Sequence, residues 1–173
     1  NIARGIAGGY TISLPAEDRI LMPRKKLIAE MVALLGGRAA EEIVFDDITS
    51  GAGNDIERVT QLARQMVTRL GMSEELGPMV YGQKEELIFL GREISEQRDY
   101  SEAVAEQIDK EVRLLVNEAY KKAKQVLIDY RDKLDEVAIR LLEVETLSRD
   151  EFEAIFPPPF GKSSGVPMIM SNN

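Results

Sequence analysis

The sequence predicts a mainly α-helical domain with one or two short strands. Apolar residues recur at spacings of three and four along most of the second half of the chain, which is the pattern of one buried helix face. Shorter stretches in the first half have the same spacing. The 173 residues are 44% hydrophobic, and a chain of this mass buries roughly 70% of its unfolded surface. A real hydrophobic core is therefore expected.

The first predicted element is a short strand at residues 7–14. This stretch alternates weakly, contains β-branched and aromatic residues, and stops at Pro15. Gly8 and Gly9 permit a close backbone approach, so the strand edge is a candidate for pairing with an extended peptide. The alternative interpretation is an ordinary edge strand that pairs within the fold.

Three helices are predicted next. Pro23 suits the first turn of a helix that runs through residues 27–35 to Gly36-Gly37. A second helical piece carries Ala39, Ala40, Ile43 and Val44 on one side. After a loop of small residues at 49–53, a third helix starts near Asn54, and Gly71 lies where a C′ glycine belongs.

The remaining pattern is simpler. Residues 77–91 read as irregular, with 79–81 a candidate short strand. A long helix is predicted at roughly 101–130, with an apolar face that runs from Ala105 through Val126 and Lys122 as the one polar residue on it. A further helix carries the following apolar residues: Leu134, Val137, Ala138, Leu141 and Leu142. Ser148 and Glu151 form a capping-box pattern at the start of a last short helix.

These elements suggest three regions. Residues 1–100 form the distal part of a core with the edge strand and the loop that precedes Asp55, residues 101–156 form a helical subdomain, and residues 157–173 form a flexible tail. The three prolines at 157–159 end the helical region.

Composition excludes several kinds of chemistry within this chain. It has no His and no Cys, so it can complete neither a Ser-His-Asp triad nor a zinc site of imidazoles and thiolates. Its net charge of −8 argues against nucleic-acid binding, which depends on clustered Lys and Arg. The sequence contains no run of about 18 apolar residues, so we expect no membrane-spanning segment within it. The chain starts at Asn1 without a signal-peptide pattern, so we expect an interior piece of a longer protein.

The most suggestive segment is the loop at 49–53 and the helix start that follows it. Here Asp55 is a carboxylate behind residues with little side-chain bulk. One interpretation is that Asn54 or Asp55 caps the helix and complements its dipole. The other is that Asp55 is a metal ligand whose companion ligands lie outside this chain.

Several blocks of residues follow one another in order along the chain. In the first half they are Gly8-Gly9-Tyr10-Thr11, Leu35-Gly36-Gly37-Arg38-Ala39-Ala40-Glu41-Glu42, Ser50-Gly51-Ala52-Gly53-Asn54-Asp55-Ile56, Ala63-Arg64-Gln65-Met66-Val67-Thr68 and Gly71-Met72-Ser73-Glu74-Glu75-Leu76-Gly77-Pro78. In the second half they are Ile108-Asp109-Lys110-Glu111-Val112, Ala119-Tyr120 and Glu145-Thr146-Leu147. Over about residues 3–156, the sequence therefore resembles the peptidase domain of FtsH, the membrane-anchored ATP-dependent zinc protease.

The resemblance implies a helical FtsH-type metallopeptidase domain and assigns roles to individual residues. Asp55 matches the family's third zinc ligand, and Glu41 matches an acid near the zinc helix that would orient a ligand; a solvated surface charge is its alternative. Gly8, Gly9, Tyr10 and Thr11 match a strand that borders the cleft and would bind substrate. The His-Glu-x-x-His helix of the family is absent from these residues, so no catalytic residue is assigned within the chain. A helix missing beside Leu34, Leu35 and Ile43 is expected to leave them partly uncovered.

For the intact protein, the resemblance implies a zinc metalloendopeptidase that degrades unfolded or membrane proteins. ATP and magnesium would bind an upstream AAA ATPase domain, and like subunits would form a homo-hexamer or hetero-hexamer. The domain would lie on the cytoplasmic, stromal or matrix side of a membrane. The protein would be anchored to this membrane only through segments outside this chain. The alternatives are a catalytically inactive FtsH-like assembly domain and an acidic helical scaffold unrelated to proteases.

Overall fold

The computed structural model describes residues 21–82 and 99–156. The chain divides into two compact units, one of residues Pro15–Asp129 and one that includes Tyr130–Asn173. Within the described ranges there are six α-helices, one short 3₁₀ helix and no strand. The predicted strand at 7–14 and the predicted tail at 157–173 lie outside the described residues. The same described ranges contain no helix with the length and apolarity needed to cross a membrane.

The larger unit contains four helices whose order matches the sequence prediction. They are α1 (Arg24–Leu34), α2 (Gly36–Phe45), α3 (Gly53–Thr68) and α4 (Glu102–Asp129), with the 3₁₀ helix at Ser50–Ala52 between α2 and α3. The long helix predicted at roughly 101–130 is confirmed to within a residue at each end. Helix α4 packs against α1, α2 and α3, and α1 also packs against α3, so α4 is the element around which the core is built.

The buried stripe of α4 differs from the predicted one in its last turns. Its buried residues are Ile108, Val112, Leu115, Ala119 and Ala123. The prediction continued the stripe through Val126, yet 42% of Val126 is exposed. The stripe instead advances by four residues from Ala119 to Ala123 and the partly buried Leu127. Lys122 therefore lies on the solvent side and does not interrupt the apolar face.

The junction between α1 and α2 corrects one further expectation. Leu35 is only 4% exposed, whereas Leu34 and Ile43 are half-buried as expected. Leu27, Met31 and Leu35 follow one another at four-residue spacing and all belong to the core cluster. Because Leu35 continues the core face of α1, its burial comes from the helices present within this unit.

The segment after α3 turns sharply at Gly71. The helix ends at Thr68 with Arg69 as its C-cap, so the C′ residue is Leu70 and Gly71 lies one position beyond the C′ site predicted for it. Its φ is +57°, a left-handed conformation that glycine adopts without steric cost. Residues 79–81 form no strand; the backbone N–H of Tyr81 instead donates to the carbonyl of Thr68 at 2.9 Å.

The second unit is described by helices α5 (Arg131–Val144) and α6 (Arg149–Ile155). The capping box at the start of α6 is confirmed: the Ser148 side chain accepts from the Glu151 N–H, and the Glu151 carboxylate accepts from the Ser148 N–H. The rings of Tyr130 and Phe156 meet edge to face, with centroids 5.1 Å apart. Neither helix contains a buried residue.

Candidate metal centre

Asp55 is the third residue of α3, and its carboxylate is half-buried in the first turn of that helix. An acid at this place complements the positive end of the helix dipole. The N-cap of α3 is Ala52, with no side-chain hydrogen bond, so neither Asn54 nor Asp55 occupies the N-cap position. Within residues 21–82 and 99–156, no hydrogen bond or ion pair engages the Asp55 carboxylate. Its oxygens remain available to an external partner.

The position of Asp55 is set by the helix that carries it. One face of α3 is fully buried in the core of the larger unit, through Val59, Ala63, Met66 and Val67. Asp55 lies one turn before Val59, the first of these anchors. A rigid element of this kind holds a ligand with more precision than a loop does.

Glu41 lies on α2 and is half-buried. Its Oε1 accepts a hydrogen bond from the Thr49 hydroxyl at 2.8 Å, and its Oε2 accepts one from the Thr49 backbone N–H at 3.2 Å. The Thr49 hydroxyl oxygen in turn accepts from the Gly51 N–H at 3.2 Å. Glu41 is thus tied to the loop that leads into α3, which differs from a solvated charge on a helix face.

The neighbouring acid, Glu42, belongs to a cluster that sequence analysis missed. Its carboxylate accepts hydrogen bonds from Lys124 and from the Tyr120 hydroxyl, both on α4. The Lys124 ammonium also lies 4.8 Å from the centroid of the Tyr120 ring, a cation–π distance. These bonds join α2 to α4, and no local sequence signal could have paired residues about eighty positions apart.

Two pKa values in this cluster are shifted in opposite directions. The hydrogen bond from Lys124, followed by the one from Tyr120, holds the pKa of the Glu42 carboxyl below its ordinary value. Burial of the phenol, followed by its bond to Glu42, raises the pKa of Tyr120 above its ordinary value. Both shifts favour the arrangement in which Glu42 is ionised and Tyr120 keeps its proton.

The described residues fit a zinc ion only in part. Zinc sites take about four ligands, of which a catalytic site draws three from protein. Asp55 offers a carboxylate of the right chemistry, but residues 21–82 and 99–156 contain no group of three His, Cys, Asp or Glu side chains that could hold a metal. The four residues predicted to bind substrate, Gly8, Gly9, Tyr10 and Thr11, lie outside the described ranges.

Comparison with known proteins identifies the class of protein that this helical architecture represents. Residues 1–155 match peptidase family M41. The chain therefore belongs to peptidase family M41, and the resemblance inferred from its sequence blocks is confirmed.

Its relatives include bacterial proteases of one name. The chain is 54% identical over 158 residues to the ATP-dependent zinc metalloprotease FtsH 1 of Thermomicrobium roseum, which covers 91% of the chain and 24% of that protein. It is 52% identical over 162 residues to the ATP-dependent zinc metalloprotease FtsH of Thermotoga maritima, and this match covers 93% of the chain and 27% of that protein. The Chloroflexus aggregans protein of that name is 54% identical over 157 residues, a match that covers 89% of the chain and 24% of that protein. The chain spans about a quarter of the length of these relatives.

Proposed function

We propose that this chain is the distal part of the peptidase domain of an ATP-dependent zinc metalloendopeptidase. In the intact protein, Asp55 is a zinc ligand, and the other protein ligands come from a segment outside these 173 residues, which contain no His. The observation that carries the proposal is the carboxylate of Asp55 at the start of α3, which has no partner among residues 21–82 and 99–156, in a chain that matches peptidase family M41 over residues 1–155.

Each part of the proposal has a physical basis in the chain. When bound, zinc supplies a Lewis acid that lowers the pKa of a bound water and polarises a peptide carbonyl. Asp55 contributes negative charge and a fixed position, because α3 is anchored in the core by four buried residues. Glu41 supports the same region from α2 through Thr49. Residues 8–11 remain the proposed substrate-binding strand.

The remaining features of the proposal concern the whole protein. We propose that it degrades unfolded or membrane proteins, that ATP and magnesium bind an upstream AAA ATPase domain, and that like subunits form a homo-hexamer or hetero-hexamer. The domain is proposed to lie on the soluble side of a membrane, in the cytoplasm, stroma or matrix. The relatives are named ATP-dependent zinc metalloproteases, which supports the use of ATP and the cleavage of proteins; the hexamer and the side of the membrane are proposed from the family resemblance.

The test is to replace Asp55 by Asn in the intact protein and to measure ATP-dependent degradation of casein. We expect the rate of degradation to fall by more than the roughly 10- to 100-fold that follows mutation of residues that only orient a metal ligand. The matched control is Glu57→Gln, which also removes one negative charge near the start of α3. Glu57 is exposed, and among the described residues its carboxylate accepts a bond only from Gln61, at 3.2 Å.

Two results would contradict the proposal. Wild-type protein that binds no zinc and cleaves no casein would favour the inactive assembly domain instead. Equal activity of the Asp55→Asn and Glu57→Gln variants would show that Asp55 is not a zinc ligand.

A further inference from the structure

The loop between α2 and α3 is held from below by a chain of side-chain hydrogen bonds. Glu41 accepts two bonds from Thr49, one from its hydroxyl at 2.8 Å and one from its N–H at 3.2 Å. Thr49 is the N-cap of the 3₁₀ helix Ser50–Ala52, and its hydroxyl oxygen accepts from the Gly51 N–H. The three residues Glu41, Thr49 and Gly51 are called the loop brace below.

The brace acts directly on the start of α3. The 3₁₀ helix ends at Ala52, α3 begins at Gly53 with no intervening residue, and Asp55 follows within its first turn. Ala52 is buried, while Asp55 has no partner of its own among the described residues. The N-terminal turn of α3 lacks a side-chain cap, and such ends fray readily when nothing else restrains them. The restraint therefore comes from the brace on one side and the buried face of α3 on the other.

From this geometry we infer that Glu41 and Thr49 are positioning residues for Asp55, acting through the loop rather than by contact with a metal. The inference rests on the proposed role of Asp55 as a zinc ligand. The inference adds to the ligand-orienting role that the resemblance implied for Glu41, because both of its oxygens also hold Thr49 in the loop. Each oxygen keeps a further lone pair, so the brace leaves room for an additional donor.

The space around Gly51 supports a tight arrangement. A Cβ added at Gly51 would lie 3.3 Å from the Thr49 hydroxyl oxygen and 3.9 Å from Oε1 of Glu41. The first distance is closer than ordinary van der Waals contact, so a side chain at this position would press on the Thr49 hydroxyl. The small residue at position 51 is consistent with a loop that must close over Thr49.

The experiment uses the intact protein and compares Thr49→Val with Thr49→Ser. Valine keeps the shape of threonine and loses the hydroxyl, whereas serine keeps the hydroxyl. Amide hydrogen exchange over residues 49–52 reports the brace, and retention of zinc against a competing chelator reports its effect on Asp55. The matched control is Thr60→Val, since the Thr60 hydroxyl on α3 donates to the Ile56 carbonyl at 2.9 Å, a bond within its own helix.

We expect Thr49→Val to speed exchange of the Gly51 amide about fivefold, the effect of losing one ordinary hydrogen bond. Its zinc retention should weaken about tenfold, as when a group that orients a ligand is removed. Thr49→Ser should restore both values, and Thr60→Val should change neither. Zinc retention that is equal in Thr49→Val and wild type, while Asp55→Asn loses the metal, would overturn the inference. Zinc retained in full by Asp55→Asn would instead overturn the proposed function.

Discussion

Replacing Gly71 by Ala should destabilise the larger unit for two separate reasons. Gly71 has a φ of +57°, and a residue with a Cβ in this left-handed region costs about 1–2 kcal/mol. The added Cβ would also lie 2.8 Å from the Cα of Pro78 and 3.2 Å from its carbonyl carbon. Since both contacts are with backbone, the loop itself must move, and overpacking of this kind typically costs about 1–3 kcal/mol. We expect a combined loss of about 2–5 kcal/mol.

The matched control is Gly77→Ala. Gly77 has a φ of +70°, but an added Cβ meets no atom of residues 21–82 and 99–156 within 4 Å, so we expect the conformational cost alone. Urea unfolding followed by circular dichroism would measure both variants, with a lower midpoint and an unchanged slope indicating a loss of stability. The midpoint of Gly71→Ala should fall clearly below that of Gly77→Ala. Equal midpoints would refute the argument from the contact with Pro78.

Three further predictions concern pH, capping and the isolated chain. Because the pKa of Glu42 is lowered, the ionised carboxylate stabilises the fold at pH values above its ordinary pKa of about 4.5, and this stabilisation is lost as the pH falls through the lowered pKa. The free energy of unfolding should therefore fall less steeply with decreasing pH in Glu42→Gln than in wild type. Ser148→Ala should speed exchange of the Glu151 amide about fivefold by removing the cap of α6, and an unchanged rate would contradict this. The purified chain, given zinc, should cleave no casein beyond a chelated control, because it contains no His and no Cys.

The helices were predictable because their signals are local. The spacing of apolar residues predicted both ends of α4 to within one residue, and the capping-box pattern of Ser148 and Glu151 predicted the start of α6. The errors arose where tertiary packing chose between local alternatives. Val126 fits the helical period, but the neighbours of α4 cover Ala123 instead. Likewise, Leu35 is buried by helices within its own unit.

The place of Asp55 at the start of a helix was predictable from the sequence, whereas the hydrogen bonds around the candidate site were not. The position of Asp55 follows from a sequence block and a helix start, both readable along the chain. The bond between Glu41 and Thr49 spans eight residues across a turn, and the bonds of Glu42 to Tyr120 and Lys124 join separate helices. Such contacts depend on how helices pack, and the local spacing of residues along the chain does not reveal that packing.

If Asp55 holds zinc in the intact protein, as we propose, the metal content of the purified protein depends on its carboxylate. Elemental analysis of wild type, Asp55→Asn and Glu57→Gln, each confirmed as folded by circular dichroism, gives the comparison. We expect stoichiometric zinc in wild type and Glu57→Gln and a large loss in Asp55→Asn. Full zinc occupancy in folded Asp55→Asn would contradict the proposal.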